Sequence, residues 1–175
     1  MKDFIKINSK IKRFEKIIQV PGDKSISIRW VMLASLAIGM SKSKNLLESD
    51  DVKSAINAMR KLGIKILKKK NYHYVYGKGL SGLRIKKNLV IDAGNSGTFA
   101  RLFCGLMSGY KGEITLKGDK SLSRRDFSRV IKPLKLFGAN FKSKNNKLPL
   151  KISGSSFLRP IYYFEKKGSA QVKSA

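Results

Sequence analysis

The chain repeats itself with a period of about 75 residues, and that period decides most of what it can fold into. Residues 52–66 meet residues 127–141 after a displacement of 75. Apolar side chains stand at positions 52, 55, 56, 59 and 62, and again at 127, 130, 131, 134 and 137. This is the spacing of one buried helix face. Asp51 and Asp126 precede the two segments as N-cap candidates, and Gly63 and Gly138 follow as helix-ending glycines. Each helix then runs into a short apolar/polar alternation that reads as a strand.

A second pair lies upstream. Residues 22–29 (Gly-Asp-Lys-Ser-Ile-Ser-Ile-Arg) resemble residues 94–101 (Gly-Asn-Ser-Gly-Thr-Phe-Ala-Arg), displaced by 72. Both follow strand-like segments, 17–20 and 89–91, and both open apolar helices, 28–38 and 99–107. The pattern starts again at residues 168–173, 74 positions after Gly94. One unit therefore reads β-α-β-α-β-β with a polar loop before its first helix. The expectation is an α/β chain of about two units and the start of a third, cut short on its C-terminal side.

With 175 residues the chain can bury a core without disulfide staples, and its single cysteine, Cys104, suits a reducing compartment. The longest apolar run, residues 30–38, is about half a membrane span, and the first ten residues carry no secretory h-region. A soluble, cytoplasmic protein is expected. Charge is the outlier: 38 Lys and Arg against 11 Asp and Glu give a formal +27. Such a field suits nucleic acid, anionic membranes or small polyanions. The cations are scattered, no zinc-ligand spacing or basic zipper occurs, and Tyr72, Tyr74 and Tyr76 alternate without an RNA-binding signature around them. Most of the lysine reads as solvated surface.

The polar loops are anion sites in their chemistry. A helix opening near Ser25 leaves unpaired N–H groups and the positive end of its dipole facing the loop. Ser25 and Ser27 can donate hydroxyls, Lys24 is a mobile point charge, and Arg29 supplies a fork for phosphate or carboxylate. The order of a Walker loop is absent. The second loop offers Asn95, Ser96, Thr98 and the glycines 94 and 97, which let a ligand approach backbone N–H groups. Residues 123–126 (Ser-Arg-Arg-Asp) add a third cationic point, and Ser169 and Gln171 a fourth polar loop. Each also reads as an ordinary capped or solvated helix start. His73 and Cys104 read as structural, and no carboxylate pair suggests an acid/base couple.

Taken together and in order, residues 21–27 (Pro-Gly-Asp-Lys-Ser-Ile-Ser), 94–98 with Arg101-Leu102, 118–122 (Gly-Asp-Lys-Ser-Leu) with Arg125, and 169–174 (Ser-Ala-Gln-Val-Lys-Ser) resemble the 5-enolpyruvylshikimate 3-phosphate synthase family. The resemblance runs from about residue 17 to the end. It implies the enolpyruvyl transferase fold, an inside-out α/β barrel, with residues 19–175 an incomplete N-terminal substrate-binding domain and the first strand or strands, residues 1–18, belonging to the other domain. It implies transfer of the enolpyruvyl group of phosphoenolpyruvate to the 5-hydroxyl of shikimate 3-phosphate, with no metal or organic cofactor, in a protein that is a monomer when complete. By position, Lys24, Ser25, Arg29, Ser169, Ala170 and Gln171 resemble the family's shikimate 3-phosphate contacts. Lys24, Asn95, Gly97, Arg125 and Gln171 resemble its phosphoenolpyruvate contacts. The proton-transfer groups are expected in a C-terminal domain outside this chain, so the 175 residues alone are expected to bind rather than catalyse. Asp126 stands where the family commonly has proline, placed either to pair with Arg125 or to cap the following helix. Ile28 and Trp30 replace a His or Asn and a small residue. The alternatives are a relative acting on a UDP-sugar, a basic nucleic-acid-binding module, and a decayed copy that keeps only the fold. Membrane partners are not expected, and nucleic acid is not the expected partner.

Overall fold

The computed structural model describes residue 6, residue 8, residue 10, residue 13, residues 15–165 and residues 168–175. The first unit contains α1 (Lys24–Leu36), β1 (Ile38–Lys44), α2 (Asp50–Lys61), β2 (Lys65–Lys69) and β3 (Tyr72–Lys78). The second contains β4 (Leu89–Asp92), α3 (Gly97–Ser108), β5 (Gly112–Lys117), a one-turn α4 (Lys120–Ser123), α5 (Ser128–Phe137), β6 (Asn140–Lys142) and β7 (Leu150–Gly154). A short α6 (Ala170–Ser174) opens the third. The repeat seen in the sequence is thus the repeat of the fold.

The two sheets share one topology. The second has strand order β4-β5-β7-β6, with β4 parallel to β5 and the remaining pairs antiparallel. The first has order β1-β3-β2, all antiparallel, and lacks a strand in the β4 place. Residues 17–20 are the sequence counterpart of β4, but they form no strand, and Ile17, Ile18 and Val20 are exposed. A strand-like apolar segment makes a strand only where a sheet edge takes it up, and among the described residues none does so. The rest of the strand expected within residues 1–18 lies largely outside the described residues.

Helices α1 and α2 cover the inner face of the first sheet, α3 and α5 that of the second. The two helix layers meet through α1–α3 and α2–α3, so the helices lie inside and the sheets outside. One continuous core results, with Ile28, Val31, Met59, Leu62, Phe99, Phe103, Phe127 and Leu150 fully buried. Ile28 is therefore a core residue, and Trp30 packs partly buried against that core. Cys104 is buried too, its thiol pushed up to about 12 by desolvation. Two glycines set how closely helix and sheet approach. A Cβ on Gly77 in β3 would lie 2.2 Å from Ala37 O, and one on Gly154 in β7 would lie 2.1 Å from Tyr110 O. In both units the C-terminal end of the first helix lands on a strand that must be bare at that point.

The helix boundaries differ slightly from those expected. The N-cap of α2 is Ser49, with Asp50 and Asp51 in the first turn. That frees the Asp51 side chain for another partner. Phe127 occupies the N-cap position of α5, while the Asp126 carboxylate accepts from Ser128 N at 2.8 Å and Ser128 Oγ at 2.5 Å. These hydrogen bonds hold its pKa below the ordinary carboxylate value.

His73, on the inner face of β3, is buried, with Glu48 Oε1 4.0 Å from Nε2 and no partner for Nδ1 among the described residues. Burial pushes its pKa below the usual imidazole value, against the pull of Glu48. The folded state therefore disfavours the protonated ring. The stability this contributes is complete above about pH 6.5 and is lost as pH falls below it. The acidic groups with lowered pKa lose their contribution only at lower pH. Urea midpoints should drop between about pH 7 and pH 5 for the native chain and change less for His73→Gln; equal drops would exclude His73 as the source.

Candidate anion-binding site

Four helix N-termini or loops converge on one hollow of about 370 Å³, lined by Lys24, Asp51, Asn95, Gly97, Thr98, Arg101, Arg125, Arg129, Ser169 and Gln171. Lys24 stands at the first residue of α1, whose N-cap Asp23 accepts from Ile26 N at 2.7 Å. The same loop is tied down by Ser27, buried, which donates to Asp23 O at 2.6 Å and accepts from Leu47 N at 3.0 Å. Ser27 is thus a fastener between α1 and the segment before α2, and its hydroxyl is not available to a ligand. Ser25 is half-buried beside Lys24.

Gly97 begins α3 behind the N-cap Ser96, which accepts from Phe99 N at 3.3 Å. A Cβ there would lie 2.8 Å from Arg101 Nη1 and 3.0 Å from Arg125 Nη1. The glycine is what lets two guanidinium groups close over one helix N-terminus. Each is held from behind. Arg101 donates to Gly97 O at 3.1 Å and lies over the Phe127 ring at 4.9 Å. Arg125 donates to Asn95 Oδ1 at 3.2 Å, while Asn95 Nδ2 donates to Asp119 Oδ2 at 2.6 Å. Asn95 therefore acts as a strut, both ends of its amide being used. Asp119 in turn caps α4, accepting from Leu122 N at 2.7 Å.

Arg129 pairs with Glu165 at 2.8 Å and reaches Gly168 O at 3.5 Å, joining α5 to the loop before α6. Ser169 caps α6, and Gln171 Nε2 donates to Thr98 Oγ1 at 3.0 Å, bringing α6 against the start of α3. Lys24 Nζ lies 3.0 Å from Asp51 Oδ2. Among the lining residues four cationic side chains thus stand with one carboxylate, Asp51. Burial, and next the neighbouring Arg125, lower the pKa of Arg101. The cations crowd one another, and an anion between them would relieve that repulsion. The hollow can bind a compact, multiply charged anion through charge-assisted hydrogen bonds and backbone N–H groups at the start of α3.

The residues singled out in the sequence are partly gathered here. Lys24, Asn95, Gly97, Arg125, Ser169 and Gln171 line the hollow. Arg29 lies instead in a separate, largely apolar depression with Met32, Leu36 and Ser174, and neither Ser25 nor Ala170 is among the lining residues of the hollow. Sequence reasoning gives no binding role to Asp51, Arg101 or Arg129. Asp51 reads locally as a cap, and nothing near it shows that it reaches a lysine 27 positions earlier. Arg129 falls on the polar side of an amphipathic helix, where an arginine carries no signal of its own. Gly97→Ala should push both guanidinium groups aside and weaken binding of a small phosphate ester about tenfold, measured by calorimetry, with little change in melting temperature. Unchanged affinity would show that the close approach is not used.

The model of the EPSP synthase family (3-phosphoshikimate 1-carboxyvinyltransferase) matches residues 8–175. The chain is 46% identical over 168 residues to the 3-phosphoshikimate 1-carboxyvinyltransferase of Sulfurihydrogenibium sp., covering 95% of this chain and 38% of that protein. It is 42% identical over 160 residues to that of Streptococcus agalactiae, covering 90% and 37%. An EPSP synthase structure from Acinetobacter baumannii superimposes with a TM-score of 0.84 at 36% identity, covering 90% of this chain and 36% of that one. The chain therefore spans well under half the length of these relatives. With the β-α-β-α-β-β repeat, the helices-inside arrangement and a match over residues 8–175, the chain belongs to the EPSP synthase family.

Proposed function

We propose that this chain supplies part of the substrate-binding machinery of an enolpyruvyl transferase. In that reaction the enolpyruvyl group of phosphoenolpyruvate passes to the 5-hydroxyl of shikimate 3-phosphate, and phosphate leaves. The observation that carries this reading is the convergence of Lys24, Arg101, Arg125 and Arg129 with the N-terminus of α3 on one hollow. Both substrates are small polyanions, and joining two of them requires cations already in place. Holding two such reactants together contributes roughly 7–11 kcal/mol toward lowering the barrier.

In this reading Lys24, Ser25, Arg29, Ser169, Ala170 and Gln171 serve shikimate 3-phosphate. Lys24, Asn95, Gly97, Arg125 and Gln171 serve phosphoenolpyruvate. Residues 19–175 form part of one domain, residues 1–18 contribute to the other, and the proton-transfer groups come from that second domain. The complete enzyme is a cytoplasmic monomer with no membrane partner, and nucleic acid has no part in the reaction. Among the described residues no helix is long and apolar enough to cross a membrane. Among them, too, no cluster of three or more His, Cys, Asp or Glu side chains is arranged to hold a metal ion.

The test is reconstitution. The chain, mixed with the complementary C-terminal portion of a relative, should release phosphate from the two substrates only when both pieces are present. Lys24→Ala in this chain should abolish that release. Near-normal turnover by the Lys24→Ala pair would sink the assignment, as would inactivity of two pieces shown to associate.

A further inference from the structure

The outward faces of the two sheets are built differently. On the second sheet, two of the three strand lysines are matched with carboxylates, Lys117 with Asp92 at 3.1 Å and Lys151 with Glu113 at 3.7 Å, while Lys142 has no carboxylate partner among the described residues. On the first, the central strand β3 presents Tyr72, Tyr74 and Tyr76, while His73 and Val75 between them are buried. The register sets Lys42 opposite Tyr74 and Lys44 opposite Tyr72 on one side, with Lys65 opposite Tyr76 and Lys69 opposite Tyr72 on the other. Directly paired residues share a face, so a row of three phenol rings runs between two flanking rows that hold two lysines each, with Met40 opposite Tyr76 and Leu67 opposite Tyr74. Among the described residues none of these four lysines has a carboxylate partner. The ammonium of Lys42 lies 4.0 Å from the Tyr72 ring centroid, and that of Lys65 lies 5.1 Å from the Tyr76 centroid.

We propose that this face binds single-stranded nucleic acid without sequence preference. Same-face residues along a strand recur at about 7 Å, so splayed bases can each take one tyrosine while the flanking lysines meet the phosphates. Base–aromatic stacking is stronger than the exposed cation–π contacts it would replace, and the displaced ammonium groups have the phosphates to go to. A duplex hides its base faces and would use the lysines alone. Along the sequence the cations look scattered, and nothing around the three tyrosines marks a nucleic-acid site. Strand pairing brings them basic neighbours from about 30 residues upstream in β1. The face is on the far side of the first sheet from the helix layers, so it is independent of the anion hollow and of the function proposed for it.

The +27 charge by itself favours binding to any polyanion, so the test turns on the tyrosines. Fluorescence anisotropy would follow a labelled oligothymidylate of about 20 nucleotides and a duplex of equal length at about 50 and 200 mM salt. The native chain should prefer the single strand by at least about tenfold. The Tyr72→Thr/Tyr74→Thr/Tyr76→Thr variant, which keeps strand preference, should lose at least about tenfold for the single strand and nothing for the duplex. If the triple variant melts below the assay temperature, Tyr74→Leu alone, expected to lose about fivefold, decides the same question. Lys42→Gln with Lys65→Gln should lower the slope of log affinity against log salt by about 1.4. Equal affinity for single strand and duplex would overturn the proposal, and so would undiminished single-strand binding by the tyrosine variants. A loss caused by Arg125→Ala instead would place the contact at the anion hollow and also overturn it. Binding confined to phosphatidylserine vesicles, indifferent to the tyrosines, would overturn it too, making the face a membrane contact.

Discussion

Arg125→Ala should cost the chain about ten- to thirtyfold in affinity for phosphoenolpyruvate in the presence of saturating shikimate 3-phosphate. A hydrogen bond to a charged group contributes about 1.5–3 kcal/mol, and the Arg125 side chain is exposed enough for water to take part of that. The loss has a direction that a general charge effect does not share. Asn95, relieved of Arg125, would keep its bond to Asp119, so the loop should stay in place and the melting temperature should hold. Lys120→Ala removes the same charge from the same neighbourhood but not from the lining of the hollow, and it should change affinity by less than about threefold. Equal losses for the two variants would reduce the site to a diffuse positive field.

Phe127→Ala should produce the largest loss of stability, about 3–5 kcal/mol. The ring is fully buried at the entry to α5, and Phe127 N donates to Asn146 O at 2.9 Å, tying that entry to the loop before β7. In a domain of this size such a loss lowers the melting temperature by roughly 10 °C. The ring also supports the Arg101 guanidinium from below. Phe127→Leu should recover most of the stability, costing less than about 1.5 kcal/mol, but should not recover that support. A leucine variant that melts like the native chain yet binds phosphate ligands more weakly would separate the packing role from the electrostatic one. Thermal denaturation and calorimetry on the two variants decide this.

These two residues show how much of the fold is legible in the sequence. Phe127 falls on the apolar stripe 127-130-131-134-137, which a helix of 3.6 residues per turn directs toward the core, so its burial can be read directly. The same stripe at 52-55-56-59-62 marks α2, and the repetition of both marks the unit. The sharing of Ser27 between Asp23 and Leu47 cannot be read, because Leu47 lies 20 positions away and a serine in a polar loop looks like a ligand. Gly77 and Gly154 are 77 positions apart and mark the same contact in both units, but a glycine in a strand has several local explanations. Residues 17–20 show the opposite failure. Their apolar run is strand-like, yet a strand needs a partner that local pattern does not supply.

The anion site divides along the same line. Lys24, Asn95, Gly97 and Ser169 belong to contiguous motifs, where a loop meets a helix start and short-range chemistry suffices to suggest a ligand. Asp51 reaches Lys24 and Asp119 reaches Asn95 from elsewhere in the chain, as Glu165 reaches Arg129, and only the fold makes these pairs. Asp126 is open to two readings in the sequence. The fold settles its hydrogen bonds on Ser128, leaving Arg125 to Asn95.

The most direct test of the central claim is calorimetric titration of the chain with shikimate 3-phosphate and, separately, with shikimate. The account predicts saturable one-site binding of the 3-phosphate, lost in Lys24→Ala, with no measurable heat from the unphosphorylated compound. Absence of saturable binding by the 3-phosphate, or equal binding of the two compounds, would contradict it.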